Sequence, residues 1–553
     1  MPSGRLSAIA LSLFCAALVA VPVAGIFSSF LAADSVGTLA HLSATVLPRA
    51  ALETVVLCGL VTIGVAILGT TSAWLVAALE FPGRRFFEWA MLLPLAMPAY
   101  IVAYAYTDFL QFAGPLQSAL RAAFDWQRGD YWFPDVRSIP GAAFIFVFVL
   151  YPYVYLLARA AFLARTAAMV DAARSLGLGP LATWLRVNLP LARPAVAAGT
   201  LLALMETIAD YGAASYFGLQ TFTTSIYRAW FALGDRIAAS QLAGAMLIVV
   251  LAAMALELRA RGRARFFSAP NSARPVPRVR LTGWRRPLAV AGCCVPIVLG
   301  FAGPAALLVM MALPSLAGAD GSRFFTWVGN SITVAALASA VTLAIVLLLA
   351  YAVRLFPHGA AGRAVRGAAR LMSLGYAVPG AVIAVGILLP LATFDNALDA
   401  ALKASFGIGT GLLLTGTLAA LAYAYLVRYF AVAWQPVDAG LARITPAMDA
   451  SARSLGSAPG EVFRRVHLPL LAPSVFAAAL LVFVDVMKEL PATLVLRPFN
   501  FDTLAVIAYQ FAADERLAEA ALPSLAIVAV GVVPVLLLSR AIAHATGSGA
   551  VTT

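Results

Sequence analysis

The sequence predicts an all-α integral membrane protein of about twelve transmembrane helices, arranged as two parallel six-helix repeats. Three observations carry that prediction. The 553 residues are 62% hydrophobic and only 11% charged. Apolar runs of bilayer-spanning length recur along the whole chain. A set of residues also returns at a constant shift of 279 positions between the two halves.

A soluble domain carries about 25% charged residues, whereas this chain has a mean hydropathy of +0.92. A hydrocarbon core about 30 Å thick takes roughly 20 apolar residues per helical crossing. Residues 144–157 and 288–309 contain no charge at all. The net charge of +13 is made by arginine, because lysine occurs only at Lys403 and Lys488. The basic residues fall between the apolar runs, as the positive-inside rule requires. Nucleic-acid binding needs a basic face on a folded domain, so nucleic acid is excluded as a partner and membrane lipid is implied. Cys15, Cys58, Cys293 and Cys294 all lie in apolar runs without metal-type spacing. They read as small buried side chains.

The runs place spans near 7–31, 51–79, 86–112, 140–164, 195–216 and 239–258 in the first half. In the second they fall near 287–313, 331–356, 368–394, 410–434, 473–494 and 521–542. Arg84 and Arg85, then Arg165, Arg174, Arg186 and Arg193, occupy two loops on one side; Arg354, Arg363 and Arg366, then Arg443, Arg453, Arg464 and Arg465, occupy their counterparts. That side is expected to be cytoplasmic, which puts both termini there as well. The first run resembles a signal peptide in having Arg5 before it and Val23-Ala24-Gly25 at its end. It exceeds the 7–15 residues of a signal core, and a retained helix is expected.

Residues 259–286 hold nine arginines, no acid, and Pro270, Pro275 and Pro277. This reads as a cytoplasmic linker against anionic headgroups. It separates a first transmembrane domain, 1–258, from a second, 287–553. The halves are duplicates. Ala173-Arg174-Ser175-Leu176-Gly177 returns as Ala452-Arg453-Ser454-Leu455-Gly456, and Leu189-Pro190-Leu191 as Leu468-Pro469-Leu470. Trp184 meets Phe463, Arg186 meets Arg465, and Glu206 and Asp210 meet Asp485 and Glu489. Pro98 pairs with Pro379 after a slip of two. A shift spanning six helices, an even number, gives both halves one orientation, as in transporters built from parallel repeats.

The longest shared segment follows the fourth span of each half. In residues 171–190, Asp171 suits the first turn of a helix, Ala172 and Ala173 favour helix, and Gly177, Gly179 and Pro180 break it. A second short helix then leads through Pro190 into the next span. The expected product is a bent helical pair with Trp184 and Leu185 as an apolar anchor and Arg174 and Arg186 at its rim. No GxxxxGK[ST] phosphate cradle occurs anywhere. The chain therefore cannot hydrolyse ATP by that route.

Residues 171–190 resemble the EAA loop of ABC importer permeases, matching at Asp171, Ala172, Ala173, Gly177, Leu189 and Pro190. The second copy, 450–469, matches at Ala452, Gly456, Leu468 and Pro469 but carries Ala450 at the acid position, with Asp449 one place earlier. The fused two-domain length, residues 222–231 and residues 488–505 are similar to ferric-iron permeases of that class. The resemblance implies a type I permease fold and a bacterial inner-membrane location. It implies two copies of a cytoplasmic ABC ATPase subunit docked on the two loops, and a periplasmic binding protein delivering substrate. It implies no cofactor on this chain. Thiamine permeases share the fused layout, and polyamine and sulfate permeases share the loop. A major-facilitator-type carrier also has twelve spans in parallel halves but has no use for a duplicated EAA-like loop.

Charges inside the bilayer cost a few kcal/mol or more and therefore face protein or a wet cavity. Glu206 and Asp210 lie four apart in the fifth span, and Asp485 and Glu489 repeat them beside Lys488. With Tyr211 they suit the path of a hard, oxygen-seeking cation. Equally, they suit pairing with Lys488 or with helix ends. His41, His358, His467 and His544 fall in or near loops and read as solvated surface residues.

Overall fold

The computed structural model describes residues 2–32, 35–127, 129–163, 175–261, 278–315 and 321–547. The described residues are all-α apart from one two-residue parallel pairing, Leu79–Glu80 with Val279–Arg280. Among the described residues, ten helices are long and apolar enough to cross a membrane, or eleven if the bent pair Arg84–Ala96 and Ala99–Phe124 counts as one. Twelve were expected. The remaining helix, Leu418–Ala442, is 25 residues long, but Arg428, Gln435, Asp438 and three tyrosines dilute its apolar character. Tyr425, Phe430 and much of its length are buried, and a helix wrapped by protein need not be apolar all round.

The third span of each half is broken where a continuous helix was expected. In the first half the chain bends by 89° at Met97, which is extended (φ −110°, ψ 115°) before Pro98. In the second, Gly359–Leu374 and Gly380–Phe406 are separated by a turn in which Val378 is extended before Pro379. Proline disfavours helix at the residue before it and removes a backbone donor, so the paired prolines account for both breaks. The fifth spans begin earlier than expected, at Trp184 and Pro459, and end at Ala209 and Met487. Pro190 and Pro469 lie just beyond π-helical turns, Trp184–Asn188 and Phe463–His467, so the backbone donor each lacks falls where the helix changes type.

The residues form two compact units whose membership does not follow the chain halves 1–258 and 287–553. One unit comprises Met1–Thr45, Ser225–Leu247 and Asp320–Ile507. Its centre is the mutual packing of Gly321–Leu355, Leu418–Ala442 and Leu468–Met487, and Pro2–Ser28 packs on Gly359–Leu374 and Gly380–Phe406. The close approach is at Gly25 and Gly386. A Cβ on Gly25 would run into the Gly386 carbonyl and, at 2.7 Å, the Pro390 ring, and a Cβ on Gly386 would meet the Pro22 carbonyl. Small residues at such a crossing let backbones approach where lipid supplies no hydrophobic drive.

The other unit comprises Val46–Thr224, Ile248–Ala319 and Ala508–Thr553. Leu47–Ala78, Ile139–Leu163 and Leu189–Ala209 pack together as the equivalent trio, and Gly303–Ser315 packs on Leu517–Gly547. Arg84, expected as a loop cation, is buried. It lies 3.3 Å from Glu80 and 3.2 Å from Glu88 and donates to the Val76 carbonyl, while Arg159 also pairs with Glu88. Glu88 on its own helix and Glu80 in the strand before it explain why it can be drawn in. The Arg-rich linker falls mostly outside the described residues. Its end pairs with Leu79–Glu80, where Arg278 lies 3.9 Å from Glu80, and Arg285 opens the next helix. Cys15, Cys58 and Cys293 are buried, as expected, and Cys294 is partly so.

Replacing Gly386 with valine forces the Pro22–Gly25 segment away. The expected cost is about 1–3 kcal/mol of stability, read as a lower thermal midpoint of the detergent-solubilised protein. A midpoint equal to wild type would contradict so close a crossing.

Candidate functional site

The two repeated loops share a local design. In the first, Asp171, Ala172, Ala173 and Arg174 lie outside the described residues. From Ser175 onward the chain passes Gly177 at φ +79°, then a short helix Pro180–Thr183, then a π-helical turn Trp184–Asn188 that runs into Leu189–Ala209. In the second, helix Pro446–Ser454 ends at Gly456 with φ +85°, then Pro459–Val462 and a π-helical turn Phe463–His467 lead into Leu468–Met487. Both glycines take the left-handed conformation that side chains resist. The π turns fall at equivalent positions of the repeat, and such turns recur at functional sites.

Trp184 is not the outward anchor expected of it. Its ring packs on Trp74 at 5.4 Å, and its counterpart Phe463 packs on Tyr351 at 4.6 Å. Each aromatic fastens its loop to the long second span of its own half. The outward apolar residues are Leu176, 80% exposed, and Leu455, 85% exposed, one residue before each glycine. Leu185 is also exposed. Their signal was already visible in the repeated Ser-Leu-Gly, where an apolar residue precedes a helix-ending glycine twice. Arg186 and Arg465 are exposed, and Arg465 pairs with Glu461 at 3.0 Å.

The second loop contains an internal brace. Arg354 donates Nε–H to Asp449 at 2.8 Å, and His467 Nε2 lies 2.7 Å from the other carboxylate oxygen. Exposed Arg453 stands 4.0 Å away. His467 is 2% exposed, so the surface role expected of it fails. Its position after the π turn carries it inward, and a carboxylate is there to receive it. His41 and His358 are exposed; the His544 side chain is outside the described residues. The repeat aligns His467 with Asn188, also buried, whose carbonyl oxygen has no partner among the described residues.

The intramembrane acids end their helices in similar ways. Asp210 follows Ala209 with an extended backbone, and its Oδ1 accepts N–H bonds from Ala213 and Ala214 at 2.8 and 3.2 Å. Glu489 accepts from Ala492 at 2.8 Å and from the Thr493 N–H and hydroxyl at 3.0 and 2.7 Å. Each carboxylate therefore caps the short helix after it, Gly212–Tyr216 or Pro491–Leu496. Asp485 pairs with Lys488 at 2.9 Å. Arg428 and Glu489 both lie against the bare face of Gly380, where a Cβ would run into Arg428 Nη1 and stand 2.8 Å from Glu489 Oε1. Glu206 and Tyr211 lie beside Asp210, and Tyr509 donates to the Tyr211 hydroxyl at 2.9 Å. Among the described residues, no group of three or more His, Cys, Asp or Glu is placed to hold a metal ion.

Residues 66–260 match the family described as binding-protein-dependent transport system inner membrane component. Over 499 residues the chain is 27% identical to the Fe(3+)-transport system permease protein FbpB 2 of Haemophilus influenzae, covering 88% of this chain and 89% of that one. It is 26% identical to the probable ABC transporter permease protein y4fN of Sinorhizobium fredii, covering 83% and 81%. A shorter similarity, 28% over 149 residues, links it to the molybdenum transport system permease protein ModB of Escherichia coli, covering 27% of this chain and 62% of that one.

Burial raises the Asp449 carboxyl, but the hydrogen bonds and charges of Arg354 and His467 outweigh it and hold the group below the usual carboxylate range. A group depressed in the folded state gives its full stabilisation above the unfolded pKa and loses it as pH falls through the folded value. Asp449→Asn is expected to lower the thermal midpoint at neutral pH by the equivalent of about 1–3 kcal/mol. The gap from wild type should narrow as pH falls well below the ordinary carboxylate value of about 4, where first the unfolded and then the folded carboxyl gains its proton. An equal gap at neutral and acid pH would rule out a role for the charge.

Proposed function

Taking the chain as the multi-pass ABC importer permease that its matched domain and membrane helices make it, we propose that it carries ferric iron across the inner membrane. A periplasmic binding protein hands over the cargo, and two copies of a separate ATPase subunit drive the cycle. The observation that carries the coupling part is the duplicated loop. A left-handed glycine, a short helix and a π turn recur in register, and each copy presents one leucine outward beside its glycine.

The design suits force transfer. A docking loop has to offer an apolar contact to its partner and be held firmly to a membrane helix. Leu176 and Leu455 supply the contact; Trp184 on Trp74 and Phe463 on Tyr351 supply the hold. The two grips are unequal. Asp449 faces inward to Arg354 and His467, so the second loop spends its acid on its own support. The Asp171 loop keeps the family's spacing of acid and glycine. Both loops belong on the cytoplasmic side by the arginine distribution, which also puts both termini there. The iron assignment is supported by the Haemophilus relative, which aligns over most of both chains, and by the oxygen-rich surroundings of Asp210.

Leu176→Asp with Leu455→Asp leaves the folded chain intact, because both side chains are exposed. It is expected to cut co-purification of the ATPase subunit by about tenfold or more, as for the loss of interface hot spots, and to abolish uptake of radiolabelled ferric iron. Retained uptake in the double variant would sink the docking role. Uptake that depends on the chain but continues after ATP depletion would sink the ATP-driven reading.

A further inference from the structure

The acid pairs that the duplication produced have diverged in their surroundings, and the divergence is one of charge. In the unit that contains Glu489, Arg428 and Glu489 both flank Gly380, and Lys488 pairs with Asp485. The aligned positions of the other copy are Val149 and Ala209, and no basic side chain forms an ion pair with Asp210 among the described residues. Tyr425 and Tyr429 lie near Glu489, but a larger and different set of tyrosines surrounds Asp210. Tyr100 and Tyr104 align with Ala381 and Val385, Tyr211 and Tyr216 with Leu490 and Val495, and Tyr509 with Trp230.

These tyrosines form one cluster within their own unit. The Tyr104 ring lies 4.7 Å from Tyr216 and 5.7 Å from Tyr100, and Tyr211 lies 5.3 Å from Tyr509. Tyr509 donates to the Tyr211 hydroxyl, and the Ser215 hydroxyl is 3.2 Å from Tyr509. Arg137 covers the ring of Tyr216 at 5.0 Å from its centre. Tyr104 is 1% exposed, and its hydroxyl has no hydrogen-bond partner among the described residues. That hydroxyl lies within electrostatic reach of the Asp210 carboxylate and of the Tyr100, Tyr216 and Tyr509 hydroxyls. A buried hydroxyl without a partner is destabilising, and a carboxylate in the bilayer without a counter-charge is more so. Both costs vanish if a cation passes between them.

We propose that Asp210, Tyr104, Tyr211 and Tyr509 form a transit site for a hard, oxygen-seeking cation, and that the Glu489 position, which shares Gly380 with Arg428, has no such role. Carboxylate and phenolate oxygens are the ligands such ions prefer. Each phenol that ligates loses its proton to water as the metal–oxygen bond forms, and no redox change is needed. The hydrogen bonds from Ala213 and Ala214 hold Asp210 in place, and a carboxylate shared with backbone donors binds loosely enough to release its cargo. This rests on the permease reading above and names the chemistry of its path.

The test is optical. Ferric citrate is added to the full chain, purified with its ATPase partner in lipid nanodiscs, and the visible phenolate-to-iron charge-transfer band is recorded. Wild type is expected to give the band, and Tyr104→Phe and Tyr509→Phe to weaken it about tenfold or more, the usual scale for loss of a metal-site contact. Tyr425→Phe, beside Glu489, should leave it unchanged. Tyr→Phe keeps the ring packing, and two independent variants guard against one that fails to fold. No band in wild type, or a band that survives in the Tyr104→Phe, Tyr509→Phe double variant, overturns the site. Ferric uptake is measured separately. Absent wild-type uptake condemns the iron reading, whereas normal uptake in the double variant condemns only the transit site.

Discussion

A bilayer offers no hydrogen bonds, so every backbone and charged group inside it must be satisfied by the protein itself. That constraint explains why the chain is helical, and it also explains where the helices stop. They break at Pro98 and Pro379, where a backbone bond is lost, and at Asp210 and Glu489, where a carboxylate takes up the free N–H groups of the next short helix. Each of these interruptions is tied to a residue that closes it. Buried charges obey the same rule: Arg84 and Arg159 converge on Glu88, and Arg354 with His467 on Asp449.

Gene duplication of such a chain leaves two copies of each polar problem, and the copies have solved them differently. One intramembrane acid shares Gly380 with Arg428. The other sits among tyrosines. One loop braces itself with Asp449, Arg354 and His467, while the equivalent Asn188 leaves an oxygen unpaired among the described residues. A duplicated chain can drift in this way because each half is inherited with the other, so that one can keep a charge the other lacks.

Much of the architecture was legible in order of strength. Composition and run length gave the membrane class, and the shift of 279 gave the repeat and the two loops. The number and ends of the spans were read less well. Leu418–Ala442 hides in protein, so its polarity does not report its position, and Pro98 and Pro379 turn single apolar runs into broken ones. Trp184 was assigned outward because a large apolar residue in a loop suggests a contact. Its true neighbour, Trp74, lies 110 positions earlier, a pairing that no local pattern encodes.

Counting and spacing along the chain were enough to establish an all-α membrane protein, duplicated, with glycine-ended loops at Gly177 and Gly456 and acids at 206, 210, 485 and 489. Packing had to settle the rest. It assigned each segment to its compact unit, turned Leu176 and Leu455 outward and His467 inward, and set Asp210 among hydroxyls while Glu489 shares Gly380 with a guanidinium. Periodicity and composition are local properties of the chain. Charge compensation and burial are set by residues far apart in sequence, and they exist only once the helices have packed.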